Sequence, residues 1–356
     1  MSKRQKLLTS LLSLTSMTGM LSHLKDTQVV STLAAAPSAA VSSCIIGTHD
    51  GSFHCDEALA IGMLKLLPQY SNAVVLRTRN PDLLSQCNIV VDVGAKYEPA
   101  LHRYDHHQRE FTGTLEGYNT KLSSAGLVYK HFGKDIIREI LKKGETEQTP
   151  DEIFVDICFH SLYKSFMEHI DAIDNGISVS DATPKYHVST TLSSRVGTLN
   201  PSWNEPQSPE IFNERFLSAI ALTCSEFLSH ANQLANVWWP ARSVVQRALN
   251  SRFDTHNSGK IIIFEQACPW KEHLFDIEKE QGIEPVVYAL YADRGGSWRI
   301  QAVPQDPQSF LSRKTVTANH MIYPTFNSFL IHALPTRVRP AAARGVVRTA
   351  RRRPVR

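Results

Sequence analysis

From Cys44 the chain alternates short apolar runs with longer helical stretches. Cys44–Gly47 (CIIG), Ala73–Arg77 (AVVLR) and Asn88–Val93 (NIVVDV) are brief, β-branched and bounded by turn residues, so they read as strands. Between them, Glu57–Leu67 reads as a helix apolar on most sides and stopped by Pro68. Pro81–Gln86 reads as a short helix with Asn80 as its N-cap. Strand, helix, strand, helix, strand in quick succession predicts a parallel α/β sheet. Helices are expected next over 122–132, 135–143 and 152–174. After Asn200-Pro201 the pattern changes. Residues 209–250 read as helical except at Trp238-Trp239-Pro240, and strands are expected at Lys260–Glu265, Pro285–Tyr291 and Trp298–Val303. The expected fold class is therefore an α/β parallel-sheet domain over 44–200, followed by a smaller α+β domain over 201–312.

The two ends differ from this body. Residues 1–43 carry Lys3, Arg4, Lys6 and Lys25, many Ser, Thr and Leu, and no acid before Asp26. That composition suits an organelle transit peptide, with a solvated, disordered N-terminus as the alternative. Residues 313–356 are expected to be a basic, disordered tail. The tail colours the overall charge. The chain has 356 residues and a formal charge of +4, but Lys314 onward holds nine Lys or Arg and no acid, which leaves the rest at −5. A basic pI thus says little about the body's partner. At 42% hydrophobic and 20% charged the chain can build packed cores. No stretch approaches the ~20 apolar residues of a membrane span. The six cysteines are scattered without a CxxC pair, which argues against a disulfide framework or a thiolate zinc site.

Candidate chemistry gathers where the strands end. His49, Asp50, His54, Asp56 and Glu57 follow the first strand. Residues two apart in extended chain point the same way, so His54 and Asp56 can face one point and Gly51-Ser52 can return His49 to it. Asp92 closes the VVDV strand, where a carboxylate needs a partner or a metal. In open parallel sheets ligands sit beyond the carboxyl ends of strands, and the first and third strands can be neighbours there. Asp105-His106-His107 follows. Adjacent histidines diverge, which suits one metal ligand and one substrate contact, with Asp105 orienting a ring. Asp171 and Asp174 in HIDAIDNG share a helical face, and either can complete the site. Ser123 and Ser124 before a helix suit a phosphate cradle or an ordinary N-cap. Imidazole and carboxylate without thiolate favour hard metals, and two such ions suit phosphoryl transfer. No Walker-type loop or GxGxxG motif is present.

The wording THDGSFHCDEAL, VVDVG, RYDHHQREF, TKLSSAGLVY, DAIDNGIS, TTLSSRVGTLNPSWN and CPWKEHL, from about Ile46 to Ser312, resembles the melanocyte-proliferating-gene-one (Myg-type) exonuclease family within the DHH phosphoesterase superfamily. The resemblance implies a metal-dependent 3′–5′ exonuclease acting on single-stranded RNA, in mitochondria and nucleus, with two Mn²⁺ or Mg²⁺ ions. It implies His49, His54, Asp56, Asp92 and His106 as metal ligands with Asp171 or Asp174, Asp92 as a bridge, His107 as a phosphate contact and Asp105 as its support. His54 stands where the wider superfamily usually has an aspartate. After Leu311 the chain departs from the family's pattern of a Pro-Trp-Arg-Gly segment and a Gly-rich, His-containing one. Two other readings compete: a hydrolase of small phosphates or short oligonucleotides, and a catalytically silent RNA-binding form using the Arg-rich tail. Trp203, Trp238, Trp239, Trp270 and Trp298, all assigned to the second region, suit base stacking or a core.

Overall fold

The computed structural model describes residues 24, 26–35, 44–142, 151–293 and 295–315. Contacts divide the chain into two compact units, 1–235 and 236–356. The fold is mixed α/β with a mostly parallel central sheet.

In the first unit six strands form one sheet: β1 (Val29–Val30), β2 (Ile45–Thr48), β3 (Val74–Arg77), β4 (Ile89–Val91), β5 (Tyr97–Glu98) and β6 (Arg103–Tyr104). Their spatial order is β1-β3-β2-β4-β6-β5, with every pairing parallel except β5 with β6. β2 and β4 are neighbours, as expected of the first and third predicted strands. All residues of β2, β3 and β4 are buried, because both faces of a parallel sheet are covered and its strands are apolar on both sides. Successive residues take opposite faces: Ile46, Val75, Ile89 and Val91 enter the main core, whereas Ile45, Val74, Leu76 and Val90 enter a smaller one with Leu84 and Val93.

Helix α1 (Cys55–Lys65) lies wholly in the main core, which explains its lack of a polar stripe. The short α2 (Pro81–Ser85) has the Asn80 cap that the sequence suggests, with its side chain accepting from the Asp82 N–H. The two helices expected over 122–143 are one, α3 (Ser124–Lys142). Gly133 does not break it; a Cβ there would come within 2.7 Å of the Phe159 ring, so the glycine admits close packing. The expected 152–174 helix is continuous in outline but contains a π-helical turn, Tyr163–Met167, between α4 (Glu152–Leu162) and α5 (Glu168–Asp174). α6 (Leu192–Gly197) and α7 (Pro209–Gln233) complete the unit.

Two boundaries differ from expectation. Ordered structure begins before Cys44: β1 pairs with β3, and Leu24 and Thr27 are buried. Residues 1–23, 25 and 36–43, the rest of the expected transit segment, lie outside the described residues. The division between units falls at 235, not 200. Phe216, Ile220, Cys224 and Phe227 of α7 belong to the main core, so the 201–235 stretch goes with the sheet.

In the second unit β7 (Ile261–Ile263), β8 (Tyr288–Ala292) and β9 (Trp298–Ala302) form a three-stranded sheet in that order. β7 and β8 are parallel, which requires a crossover, and α10 (Lys271–Gln281) provides it; β8 and β9 are antiparallel. Val245 and Leu249 of α8 (Trp239–Asn250), with Ile262, Trp270, Leu274, Ile277 and Val286, make its core. A single turn, α9 (Arg252–Thr255), precedes β7. Arg313, expected at the start of the disordered tail, is anchored here: its guanidinium makes two bonds to Glu278, at 2.9 and 2.7 Å, and stacks over Phe275. Residues from 316 onward lie outside the described residues. Among the described residues no helix is long and apolar enough to cross a membrane.

Candidate metal centre

The carboxyl ends of β2 and β4 open onto the start of α1, and there the predicted residues meet. His49 follows β2. Its Nδ1 lies 3.0 Å from the Asp50 carbonyl, which leaves Nε2 3.0 Å from Glu57 Oε1 and 3.4 Å from Asp92 Oδ2. His54 is the N-cap of α1, and its backbone N–H donates to Glu57 Oε1 at 2.7 Å. That reach-back of the third helical residue fixes the loop's entry into the helix. The same loop is held by Arg77, whose Nη2 donates to the Gly51 carbonyl. Arg77 is buried against the rings of Phe53 and Phe216.

Asp92 occupies the centre. Its backbone is left-handed (φ 58°), a conformation that Asp tolerates better than most residues but that still carries strain. Asp92 Oδ1 accepts from Ser124 Oγ at 2.9 Å and lies 3.6 Å from His106 Nε2 and 3.4 Å from His107 Nδ1. The two histidines diverge as expected. His106 is buried, with Nε2 3.1 Å from Asp174 Oδ2 and 4.0 Å from Asp56 Oδ2. The His107 side chain is 61% exposed, and its Nδ1 is held 2.7 Å from Asp105 Oδ1. Asp105 also accepts from the His107 and Ala95 backbone N–H groups, so it ties the turn after β4 to the triplet.

Ligand-type atoms converge in three overlapping sets: His49, His54, Glu57 and Asp92; Asp92, His106 and His107; and Asp56, His106 and Asp174. Asp92 and His106 are shared between sets. The test of fit is what the buried atoms lack. Both carboxylate oxygens of Asp56, Oε2 of Glu57 and both ring nitrogens of His106 make no hydrogen bond. Among the described residues no Lys or Arg forms an ion pair with Asp56, Glu57, Asp92 or Asp174. Burial, then the Asp92, Asp174 and Glu57 carboxylates, push the Asp56 carboxyl well above its ordinary value. Burial opposes a charge on His49, yet the Asp92 and Glu57 carboxylates outweigh it and push the imidazolium up to about 10. A group of negative oxygens that draws protons this strongly, with atoms left unpartnered in the dry interior, fits a cation. These acidic and histidine clusters can hold metal ions.

Four sequence expectations change. Asp171 stands apart from the cluster: Ser123 donates to it through N–H (3.0 Å) and Oγ (2.7 Å), and Tyr163 through its hydroxyl (2.9 Å). Of the two candidate aspartates, Asp174 faces His106. A Cβ on Gly126 would meet Asp171 Oδ1 at 2.3 Å, so that glycine makes room for the carboxylate. Ser123 and Ser124 form no open phosphate cradle, since both are fully buried and their hydroxyls are committed to Asp171 and Asp92. Glu57 joins the cluster although the expected ligand set omits it. A helix-start glutamate is usually a capping partner, and the signal that distinguishes this one is its complete burial, which spacing alone does not carry. Asp50 turns outward to Arg79, 3.3 Å away.

The chain is 46% identical over 277 residues to the mouse protein named MYG1 exonuclease, an alignment covering 75% of this chain and 71% of the mouse protein. It is 46% identical to human MYG1 exonuclease over 279 residues (75% and 72%) and 47% identical to the MYG1 protein of Caenorhabditis elegans over 274 residues (74% and 78%). No solved structure matches it significantly. The model of the MYG1 exonuclease family, described as uncharacterised protein family UPF0160, matches residues 45–321, and the chain belongs to that family.

Proposed function

We propose that this protein is a metal-dependent 3′–5′ exonuclease of DHH type that hydrolyses phosphodiester bonds in single-stranded RNA, acting in the mitochondrion and also in the nucleus. The observation that carries the reading is the buried carboxylate–imidazole cluster around Asp92, with the oxygens of Asp56 unpartnered. Its relatives' name, exonuclease, points the same way.

His49, His54, Glu57 and Asp92 would hold one ion, and Asp56, His106, Asp174 and the shared Asp92 a second; Mn²⁺ fits this donor set, with Mg²⁺ as the alternative. A pair of such ions, when bound, supplies an activated water and charge on the leaving oxygen of a phosphodiester. The chain's own part is positioning. Ser124 fixes the orientation of Asp92, and Asp105 fixes His107. The exposed His107, held at Nδ1 by Asp105, would contact a non-bridging phosphate oxygen through its other ring nitrogen.

The test is release of mononucleotides from 3′- and 5′-labelled single-stranded RNA with added Mn²⁺, set against His106→Ala. Metal-dependent release from the 3′ end that vanishes in the variant is the expected result. Equal rates in both proteins, or hydrolysis confined to pyrophosphate and dinucleotides, would overturn it.

A further inference from the structure

Of the five tryptophans, Trp270 is buried in the second unit's core, whereas Trp203 is 93% exposed. The sequence reading places Trp203 in a second domain, but it belongs to the unit that carries the metal cluster. Its position is fixed at both sides. Three residues before it, the Asn200 side chain pairs with the backbone of Phe53: Oδ1 accepts from the Phe53 N–H at 2.9 Å, and Nδ2 donates to the Phe53 carbonyl at 2.8 Å. Phe53 directly precedes His54 of the cluster. Three residues of chain span at most about 11 Å, which bounds how far Trp203 stands from the Asn200 side that Phe53 holds.

The turn that carries Trp203 is held in place by its own bonds. The Ser202 N–H donates to Glu205 at 2.6 Å, the Gln207 amide donates to the Ser202 and Glu205 carbonyls, and Arg215 grips the Glu205 carboxylate at 2.6 and 3.2 Å. Single exposed apolar residues are common on protein surfaces. A full indole kept in water on a pre-ordered turn, tied to the residue before a metal-ligand candidate, is more specific. Such a ring loses little freedom when it stacks, and every base offers it a flat face.

We infer that Trp203 is a stacking platform for a base of the single-stranded substrate, holding the strand whose scissile phosphate lies at the metal cluster. The nature of the strand rests on the proposed exonuclease reading. The platform adds sequence-tolerant affinity and makes a polymer, rather than a small phosphate, the preferred substrate. Trp203 touches a base and not the reacting atoms, so its removal should act on KM more than on kcat.

Fluorescence anisotropy of the full chain with a labelled twelve-nucleotide RNA tests this, in the His106→Ala background so that no strand is consumed. Trp203→Ala should weaken Kd roughly ten-fold. Trp203→Phe should recover part of the loss, and the difference between Trp and Ala should shrink on a strand of abasic sugar-phosphate. Equal Kd values for the three proteins, or an equal loss with and without bases, would overturn the inference; so would a Trp203 that proves to be covered by another protein chain when RNA is bound. Mn²⁺-dependent hydrolysis of bis(p-nitrophenyl) phosphate by the protein with His106 intact reports the proposed function separately. If that hydrolysis is absent while Trp203-dependent RNA affinity persists, the enzyme reading fails and the stacking site stands.

Discussion

The two units bury carboxylates in opposite ways. In the second, Glu278 receives two bonds from Arg313 and a third from the Val286 N–H at 2.7 Å. The chain supplies its own cation there, and the result is a closed structural pair. In the first, Asp56, Glu57, Asp92 and Asp174 converge on four histidines, and among the described residues no Lys or Arg pairs with the carboxylates. Leaving an ionised group uncompensated in the interior costs several kcal/mol. Folding tolerates this where something from outside completes the arrangement. The contrast therefore separates the two kinds of buried charge by a single criterion, whether a Lys or Arg of the chain compensates them.

The largest effect should come from the carboxylate shared by two of the three donor sets. Asp92→Asn keeps the volume and tolerates the left-handed backbone, but removes the charge shared between His49, His106 and His107. Metal-dependent hydrolysis of labelled RNA should fall at least about 100-fold in kcat, with far-UV circular dichroism unaltered. A variant that kept most of its activity would remove Asp92 from the centre of the site. Next comes the metal itself. Mn²⁺ at a hundred times its Kd should stabilise the folded protein by about 2.7 kcal/mol, read as a rise in Tm. Asp56→Asn should abolish that rise while slightly stabilising the metal-free protein, because it relieves repulsion among buried carboxylates. If Asp56→Asn destabilised the metal-free protein, the cluster would be closed by a compensating group after all.

The opposite pair should respond in the opposite sense. Arg313→Met strands Glu278, and breaking a buried pair typically costs 3–5 kcal/mol. Arg313 retains some solvent contact, which brings the expected loss to about 2 kcal/mol in urea unfolding of the full chain. Mn²⁺ should rescue none of it. A loss that the metal did restore would mean that the two regions are not independent.

How far the sequence carries this picture follows from the range of each interaction. β2, β3 and β4 are legible because continuous apolar runs between turn residues say that both faces are covered. The ligand-bearing loops are legible because strand ends in a parallel sheet converge. β1 is not, since two residues at a sheet edge leave no period to read. The amphipathic face of α7 says that one side is buried but not against what, so its assignment to the first unit had to come from the packing of Phe216 and Phe227. Asp171 and Asp174 look equivalent at a spacing of three. The choice between them lies with Ser123, 48 residues earlier, and with Tyr163 at the start of a π-helical turn, donors that no local pattern connects to Asp171. The role of Arg313 is hidden for the same reason: its partner Glu278 is 35 residues away and its neighbours read as a basic tail.

Asp171 also offers the finest test of the distinction between the two kinds of buried carboxylate. It is as buried as Asp56, yet it has partners. Burial raises its carboxyl to about 7, against the bonds from Ser123 and Tyr163, which lower it. The folded state therefore binds the proton more tightly than the unfolded chain, whose value is near 3.8. Between about pH 4 and pH 7 the folded state holds more protons, so stability from this group falls as pH rises through that window. Below it the group is protonated in both states, and above it ionised in both, so the slope ends on either side. The steepest contribution is about 1.4 kcal/mol per pH unit. Asp171→Asn should remove it: the amide oxygen can still accept from Ser123, and the amide nitrogen can donate to the Tyr163 hydroxyl. Urea unfolding of both proteins in EDTA from pH 4.5 to 7.5 should show the wild-type curve declining relative to the variant. Parallel curves would mean that Asp171 stays ionised throughout, its three donors sufficing to hold the charge, and that a buried carboxylate in this protein needs hydrogen bonds rather than a cation. Asp56 would then differ from Asp171 only in its missing hydrogen bonds, which a metal would replace.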